Sequence, residues 1–487
     1  MRRILLTIAL ALGALLSVLL VRTARFTSRQ VQVEPAQEVV VNAQDMAQHL
    51  AAALRFRTVS YQDAAQFPRE EFLGLHHYLE GTFPKLHAAL AREIVADYSL
   101  LYAWKGSDSG LRPLVLMAHQ DVVPVEPGTE KLWSYPPFEG RVAEGYIWGR
   151  GALDDKASLV AILEAVEKLA GDGFRPRRTI YLAFGHDEEI AGQQGARAIA
   201  TLLESRGIRP ELVLDEGGAV FQGGVLPIAR PVALVGVAEK GYLSVELTVQ
   251  TEGGHSSAPP PHTAVGILSA AITKLENHPF PGGLRDPARQ MFEYLGPEMP
   301  FARRLIFANL WLFGRLVERR LEAWPPSNAL VRTTTAPTMV EGGVKDNVLP
   351  NKARAVVNFR ILPGDSIASV LEHVRQVIND PRVQIQPLRS SRAEPSPVSS
   401  TESPGFALLM RTVRQIFPDA VVAPMLVIGG TDARYFAQLT ESDYRFDPLR
   451  VTEQDLTRVH GTNERVAVEN FAGAVKFYIQ LIRNSAQ

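Results

Sequence analysis

The chain has 487 residues, 46% hydrophobic and 21% charged, with a net charge of −1 at pH 7 and no cysteine. That length exceeds what one hydrophobic core supports and predicts about two or three domains. The balanced charge leaves no basic footprint for a nucleic-acid partner, and the absence of cysteine excludes disulfides and thiolate metal sites.

Met1-Arg2-Arg3 precedes an uncharged apolar stretch from Ile4 to Val21, near the lower length for a membrane span. No small-x-small cleavage site follows, so residues 1–26 read as an uncleaved signal anchor in preference to a cleaved signal peptide. Arg22, Arg25 and Arg29 lie beyond the stretch, and the positive-inside rule leaves the orientation open. Residues 27–41 read as a polar linker and 42–233 as the first part of an α/β domain. Within it PLVLMA, TIYLAF and ELVL are short apolar runs with β character, expected as buried strands of a mostly parallel sheet. Metal-type ligands follow them: His119 and Asp121 after the first, Glu188 and Glu189 after the second, Asp215 at the end of the third. Open α/β sheets bind ligands at these carboxyl ends. His119 and Asp121 are two apart, so an extended backbone points both the same way. Asp154 precedes KASLVAILEAVEKLAG, whose apolar residues recur at helical spacing, and a helix start favours a carboxylate. Gly149-Arg150-Gly151 lacks the third glycine of a dinucleotide fingerprint.

Residues 234–390 read as a second, α+β domain with an antiparallel sheet, from the alternating YLSVELTV and ARAVVNFRI and the helical TAVGILSAAITKLE and SIASVLEHVRQVIND. Inside it, FARRLIFANLWLFGRLVERRLEAW is strongly apolar with five arginines. Packing against this second domain, or across a dimer interface, is the plainer expectation; an apolar wall for an acyl chain or contact with a bilayer surface is the sharper one. The Ser/Pro-rich RSSRAEPSPVSS marks a return linker, and 391–487 resumes the α/β domain with Asp432, Arg434 and His460. Imidazole and carboxylate together suit zinc and its neighbours. Two histidines and four carboxylates are too many for one tetrahedral ion and suit two ions sharing a carboxylate. Each pair alone has an ordinary reading, as a surface pair, a helix cap or a solvated helix start; their coincidence at strand ends does not.

In the order MAHQDVVPV, WSYPPFEG, IWGRGALDDK, FGHDEEIAGQQGA, LVLDEGG, GGHSSAPP, DNVLPNKARAVVNFR, GGTDARYF and HGTNERV, the chain resembles the co-catalytic di-zinc peptidases that include carboxypeptidase G, aminoacylase, succinyl-diaminopimelate desuccinylase and Gly-Xaa carboxypeptidase. VALVGVAEKGYLSVELTV and the segment from ANLWLFG to DNVLP look like the secreted N-fatty-acyl-amino-acid synthase/hydrolase branch. The resemblance implies a lid/dimerisation domain interrupting an α/β catalytic domain, and two Zn²⁺ per chain bridged by Asp154. His119 and Asp215 would serve one ion, Glu189 and His460 the other, with Asp121 orienting His119. It further implies a zinc-bound hydroxide as nucleophile, Glu188 as general base, and His255 reaching the scissile carbonyl from the lid, often from a partner subunit. Asn347, Arg360 and Arg434 would hold a substrate carboxylate.

The expected activity is therefore hydrolysis, or the reverse condensation, of N-acyl amino acids, fatty-acyl ones among them. The alternatives are a Gly-Xaa-type carboxypeptidase or dipeptidase and, remotely, a non-catalytic zinc-binding surface protein. The substrate would be a small molecule or short peptide with a free carboxylate. A homodimer through the lid, a membrane contact through the N-terminus, and an extracytoplasmic or secreted catalytic domain complete the expectation.

Overall fold

The computed structural model describes residues 1–223 and 228–486. A ten-stranded mixed sheet forms the catalytic domain, running Ala91–Val95, Ser99–Trp104, Ile180–Gly185, Leu114–His119, Leu212–Asp215, Asp443–Arg445, Val232–Glu239, Ala219–Phe221, Arg450–Val451, with Val421–Val427 also on Val232–Glu239. Its centre is parallel: Leu114–His119 pairs in parallel with Ile180–Gly185 and with Leu212–Asp215, which pairs in parallel with Asp443–Arg445.

The reason is legible in one strand. Leu114, Leu116 and Ala118 join the larger core, while Val115 and Met117 join the core on the other face. Successive side chains alternate, and both faces are covered, so the strand reads as an unbroken apolar run. On the larger core's face lie Ala43–Ala53, Lys156–Gly171 and Val468–Ser485; on the other lies Ala196–Ser205.

The lid is an antiparallel four-stranded sheet in the order Thr334–Gly342, Lys352–Ile361, Gly241–Gln250, Val383–Ala393, carrying helices Ala264–Asn277 and Ile367–Ile378. Its core is separate: Leu243, Val245, Leu247 and Val249 meet Ala355, Val357 and Phe359 beneath those helices. Strand Val232–Glu239 belongs to the catalytic sheet, so the chain crosses at Lys240 rather than at residue 234, and the last lid strand continues past residue 390 to Ala393.

The stretch between Asn277 and Asn328, an insertion in this domain, also packs on the catalytic domain. Helix Ala288–Leu295 packs on strand Val421–Val427 of the catalytic sheet, and Met291, Phe292, Leu295 and Met299 enter the catalytic core. Among the described residues that strand pairs with one other strand, Val232–Glu239, and a free strand edge invites cover. The linker helps as well: the Gln30 side-chain amide donates to the Val422 carbonyl and accepts from the Val422 N–H, both at 2.8 Å. The leading helix Arg2–Arg25 lies outside the body and packs along helix Phe301–Ala308 of the insertion.

Candidate metal and active site

Strand Leu114–His119 delivers His119, 1% exposed, to the carboxyl end of the sheet. Its Nε2 lies 2.9 Å from Asp154 Oδ1 and 3.6 Å from Glu216 Oε1. The other Asp154 oxygen lies 3.0 Å from His460 Nε2, which is 3.2 Å from Glu189 Oε2. Two ligand sets result, His119–Asp154–Glu216 and Asp154–Glu189–His460, the atoms within each lying inside 4.8 Å of one another. Asp154 belongs to both. A buried Glu189 Oε1 has no hydrogen-bond partner among the described residues, and burial of an unpaired carboxylate oxygen is costly unless a cation takes it. The donor set fits two zinc-type ions.

Asp121 sits at 3.3 Å from His119 Nδ1 through Oδ1, and its backbone carbonyl is 3.0 Å from the same nitrogen. Its carboxylate also accepts from Ser60 Oγ (2.6 Å) and from the Glu188 and Glu189 N–H groups (3.1 Å each). One buried carboxylate thus fixes a histidine ring and the turn bearing two glutamates.

Asp215 is not brought to the cluster. Its Oδ2 accepts the Ala433 N–H at 2.7 Å, and Glu216 takes the place beside His119. Parity explains this. Leu212 and Leu214 face the larger core, where Lys156–Gly171 and the preceding Asp154 lie, and Val213 faces the other. Asp215 follows Val213, and Glu216 returns to the Asp154 side.

Glu464 is a second residue that motif reading passed over. Fully buried, it accepts Arg150 Nη1 (2.5 Å) and the N–H groups of Gly151 (3.0 Å), Leu153 (2.8 Å) and Asp154 (3.2 Å). Arg150 Nη2 donates onward to the His460 and Gly461 carbonyls at 3.2 and 3.1 Å. The loops carrying Asp154 and His460 are therefore one hydrogen-bonded unit. The spacing of HGTNE is the signal that holds this residue, four positions after His460.

Electrostatics follow from burial beside like charges. Burial is the largest influence on Glu188 and holds its carboxyl well above the usual range; Asp432, Glu189 and Asp154 push the same way and His119 opposes. Asp154 goes down, because the His119 and His460 contacts outweigh burial. His460 is pushed up to about 10 by Asp154 and then Glu189.

Arg434 lies within the short turn Asp432–Tyr435, and its charge interacts with those of Glu188 and Arg360. Arg360 Cζ lies 4.6 Å from the Tyr242 ring centroid on the adjoining lid strand. Arg434 Nε is buried and has no hydrogen-bond partner among the described residues. His255 and Asn347 sit together on an exposed ribbon of the lid, where Gly254–His255 pairs with Val348–Leu349 and the Ser256 N–H donates to the Asn347 carbonyl at 3.2 Å. Among the described residues no hydrogen bond or ion pair joins His255 to the carboxylate cluster.

Comparison with known proteins bears on the family and the fold. The sequence model of peptidase family M20/M25/M40 matches residues 115–484. A probable carboxypeptidase S-like 2 of Dictyostelium discoideum is 44% identical over 98% of this chain and 93% of its own length. The N-fatty-acyl-amino acid synthase/hydrolase PM20D1 of Xenopus tropicalis is 43% identical over 90% of this chain and 85% of its own. Among solved structures, an M20 family metallo-carboxypeptidase from Sulfolobus solfataricus superposes with a TM-score of 0.64 at 19% identity, covering 91% of this chain and 99% of that one. Human carnosine dipeptidase 1 gives 0.63 at 16% identity, covering 91% and 96%. These last two bear on the fold alone.

Proposed function

The chain belongs to peptidase family M20/M25/M40 and is a metallohydrolase, and on that premise we propose that it cleaves the amide bond of N-acyl amino acids, long acyl chains included. The observation that carries the chemistry is Asp154 shared between two ligand sets; the substrate class rests on the 43% identity to a fatty-acyl-amino-acid synthase/hydrolase over 90% of the chain. His119, Asp154 and Glu216 would hold one zinc ion, and Asp154, Glu189 and His460 the other. Zinc held there supplies Lewis-acid polarisation and a water of lowered pKa.

The chain's own groups do the rest. Glu188, raised by burial, takes a proton from the attacking water and returns it to the leaving amine nitrogen. Arg434 and Arg360 bind the free carboxylate of the amino acid through planar guanidinium forks, with Asn347 joining them from the lid ribbon. His255 on the same ribbon donates to the developing oxyanion once the lid, or a partner's lid, closes. The same groups in reverse order join a carboxylic acid to an amino acid.

A second reading, peptide cleavage from the carboxyl end, is favoured by the carboxypeptidase S-like relative at 44% identity. Turnover of N-oleoyl-phenylalanine against Gly-Leu separates the two. A higher kcat/KM for the acyl amino acid is expected, and a clear preference for Gly-Leu would overturn the first reading.

A further inference from the structure

We propose that the insertion is a membrane-resting face: together with the leading helix it seats the enzyme on an anionic phospholipid bilayer, with Trp311 at the headgroup level. The leading helix is 24 residues, almost wholly exposed and strongly apolar; at about 1.5 Å per residue it is long enough for a hydrocarbon core of ~30 Å. It is not a loose tether. Leu15, Leu19 and Thr23, one seam at helical spacing, are its covered positions. Buried Asn309 donates to the Leu19 carbonyl (3.2 Å) and to Thr23 Oγ1 (3.3 Å), and Arg22 Nε donates to the Ala308 carbonyl (3.3 Å). Phe26 then packs on Gly296. These contacts fix the helix against the insertion, so a bilayer that takes the helix also meets the insertion.

What the insertion shows there suits such a surface. Phe301, Trp311, Leu312 and Leu316 are exposed by 45–62%. Trp311 lines a cleft of about 670 Å³ with Arg22 and Arg25, where the leading helix ends, and its indole N–H donates to Asn309 Oδ1 at 3.2 Å. Aromatic residues next to arginines at the end of an apolar helix mark the membrane–water boundary. Charge is sorted as well. Arg303, Arg315, Arg319 and Arg320 have no ion-pair partner among the described residues. The acids of the same helix are engaged inward, Glu318 with the Leu284 N–H and Glu322 with Arg332. An apolar face edged with free arginines is the pattern of helices lying in an anionic interface.

Bromine-labelled lipids report the contact. Trp104, Trp133 and Trp148 are at most 8% exposed, so in a Trp324→Phe background Trp311 is the exposed indole. The full chain is reconstituted into phosphatidylglycerol/phosphatidylcholine vesicles carrying acyl-chain bromine, and tryptophan emission is read. Quenching is expected, and further replacement Trp311→Phe should remove more than half of it. Leu312→Glu with Leu316→Glu should reduce it while the chain stays with the vesicles. Failure of the chain to enter vesicles, or entry with Trp311 unquenched, overturns the proposal. Shielding of Trp311 from aqueous acrylamide without bromine quenching, at twice the chain mass, would assign the face to a second copy instead. Hydrolysis measured in parallel keeps this outcome distinct from the substrate reading.

Discussion

Asp215 and Glu216 are adjacent carboxylates on opposite sides of one strand end, and substitution tells them apart. Glu216→Ala should lower metal content by about half, whereas Asp215→Asn, which keeps an acceptor for the Ala433 N–H, should leave it near the wild-type value; metal analysis after gel filtration is the check. Glu188→Gln should retain full metal and lose ~10²–10⁴-fold in kcat, because an amide cannot shuttle the proton. Near-normal turnover would reject that role. The metal-free protein should also show a pH signature. His460 has a folded pKa raised from 6.5 to about 10. The unfolded chain releases that proton first, so the stabilisation from Asp154 and Glu189 is fully present below about 6.5 and is lost as pH rises through about 10. Tm of the chelated protein should therefore fall across that window, and His460→Asn should flatten the fall. Metal uptake at neutral pH must expel the same proton, so calorimetry in buffers of different ionisation enthalpy should register proton release.

Elements that the sequence marked plainly are those whose burial is simple. Leu114–His119 is buried on both faces, so its apolar run could be read directly, and its two-residue spacing put His119 and Asp121 together. Glu216 was not legible, because choosing between two adjacent carboxylates needs the face on which Asp154 lies, and that face is the one where the helix Lys156–Gly171 shares a core with Leu212 and Leu214. Glu464 was hidden for a related reason: its partners Arg150 and Asp154 are remote in sequence, and only the assembled loops show it as their tie. Glu464→Ala would leave Arg150 buried and unpaired, at a cost of ~3–5 kcal/mol, readable by denaturant unfolding of the metal-free protein. It should also weaken zinc binding by ~10–100-fold, as losing support for a ligand loop does. The lid ribbon makes a separate claim. His255→Ala should lower kcat by up to ~10²–10³-fold with metal content intact, since among the described residues no hydrogen bond or ion pair ties His255 to the ligands. If mixed His255→Ala and Glu188→Gln chains recover activity, the histidine acts across subunits.

For the whole molecule, the interruption of one domain by another was readable from composition and strand patterning, but the course of the insertion was not. A helix apolar on several sides does not declare which side meets the body. The structure resolves it by giving Ala288–Leu295 to the sheet edge at Val421–Val427 and leaving Trp311, Leu312 and Leu316 outside. The strand order carries a consequence for biosynthesis. Asp443–Arg445 lies between Leu212–Asp215 and Val232–Glu239, so a growing chain that has already made those two strands has no occupant for the place between them. At ~5–20 residues per second the wait for the missing strand is roughly ten seconds or more. Over that interval two apolar strand edges stand open, and the ribosome has not yet made His460. An unfinished chain can neither close its sheet nor complete the ligand set that includes His460. Polypeptides cut short anywhere in the lid should therefore be recovered as aggregates or protease-sensitive fragments, never as partly active enzyme. A zinc-loaded, soluble product ending near residue 400 would contradict that.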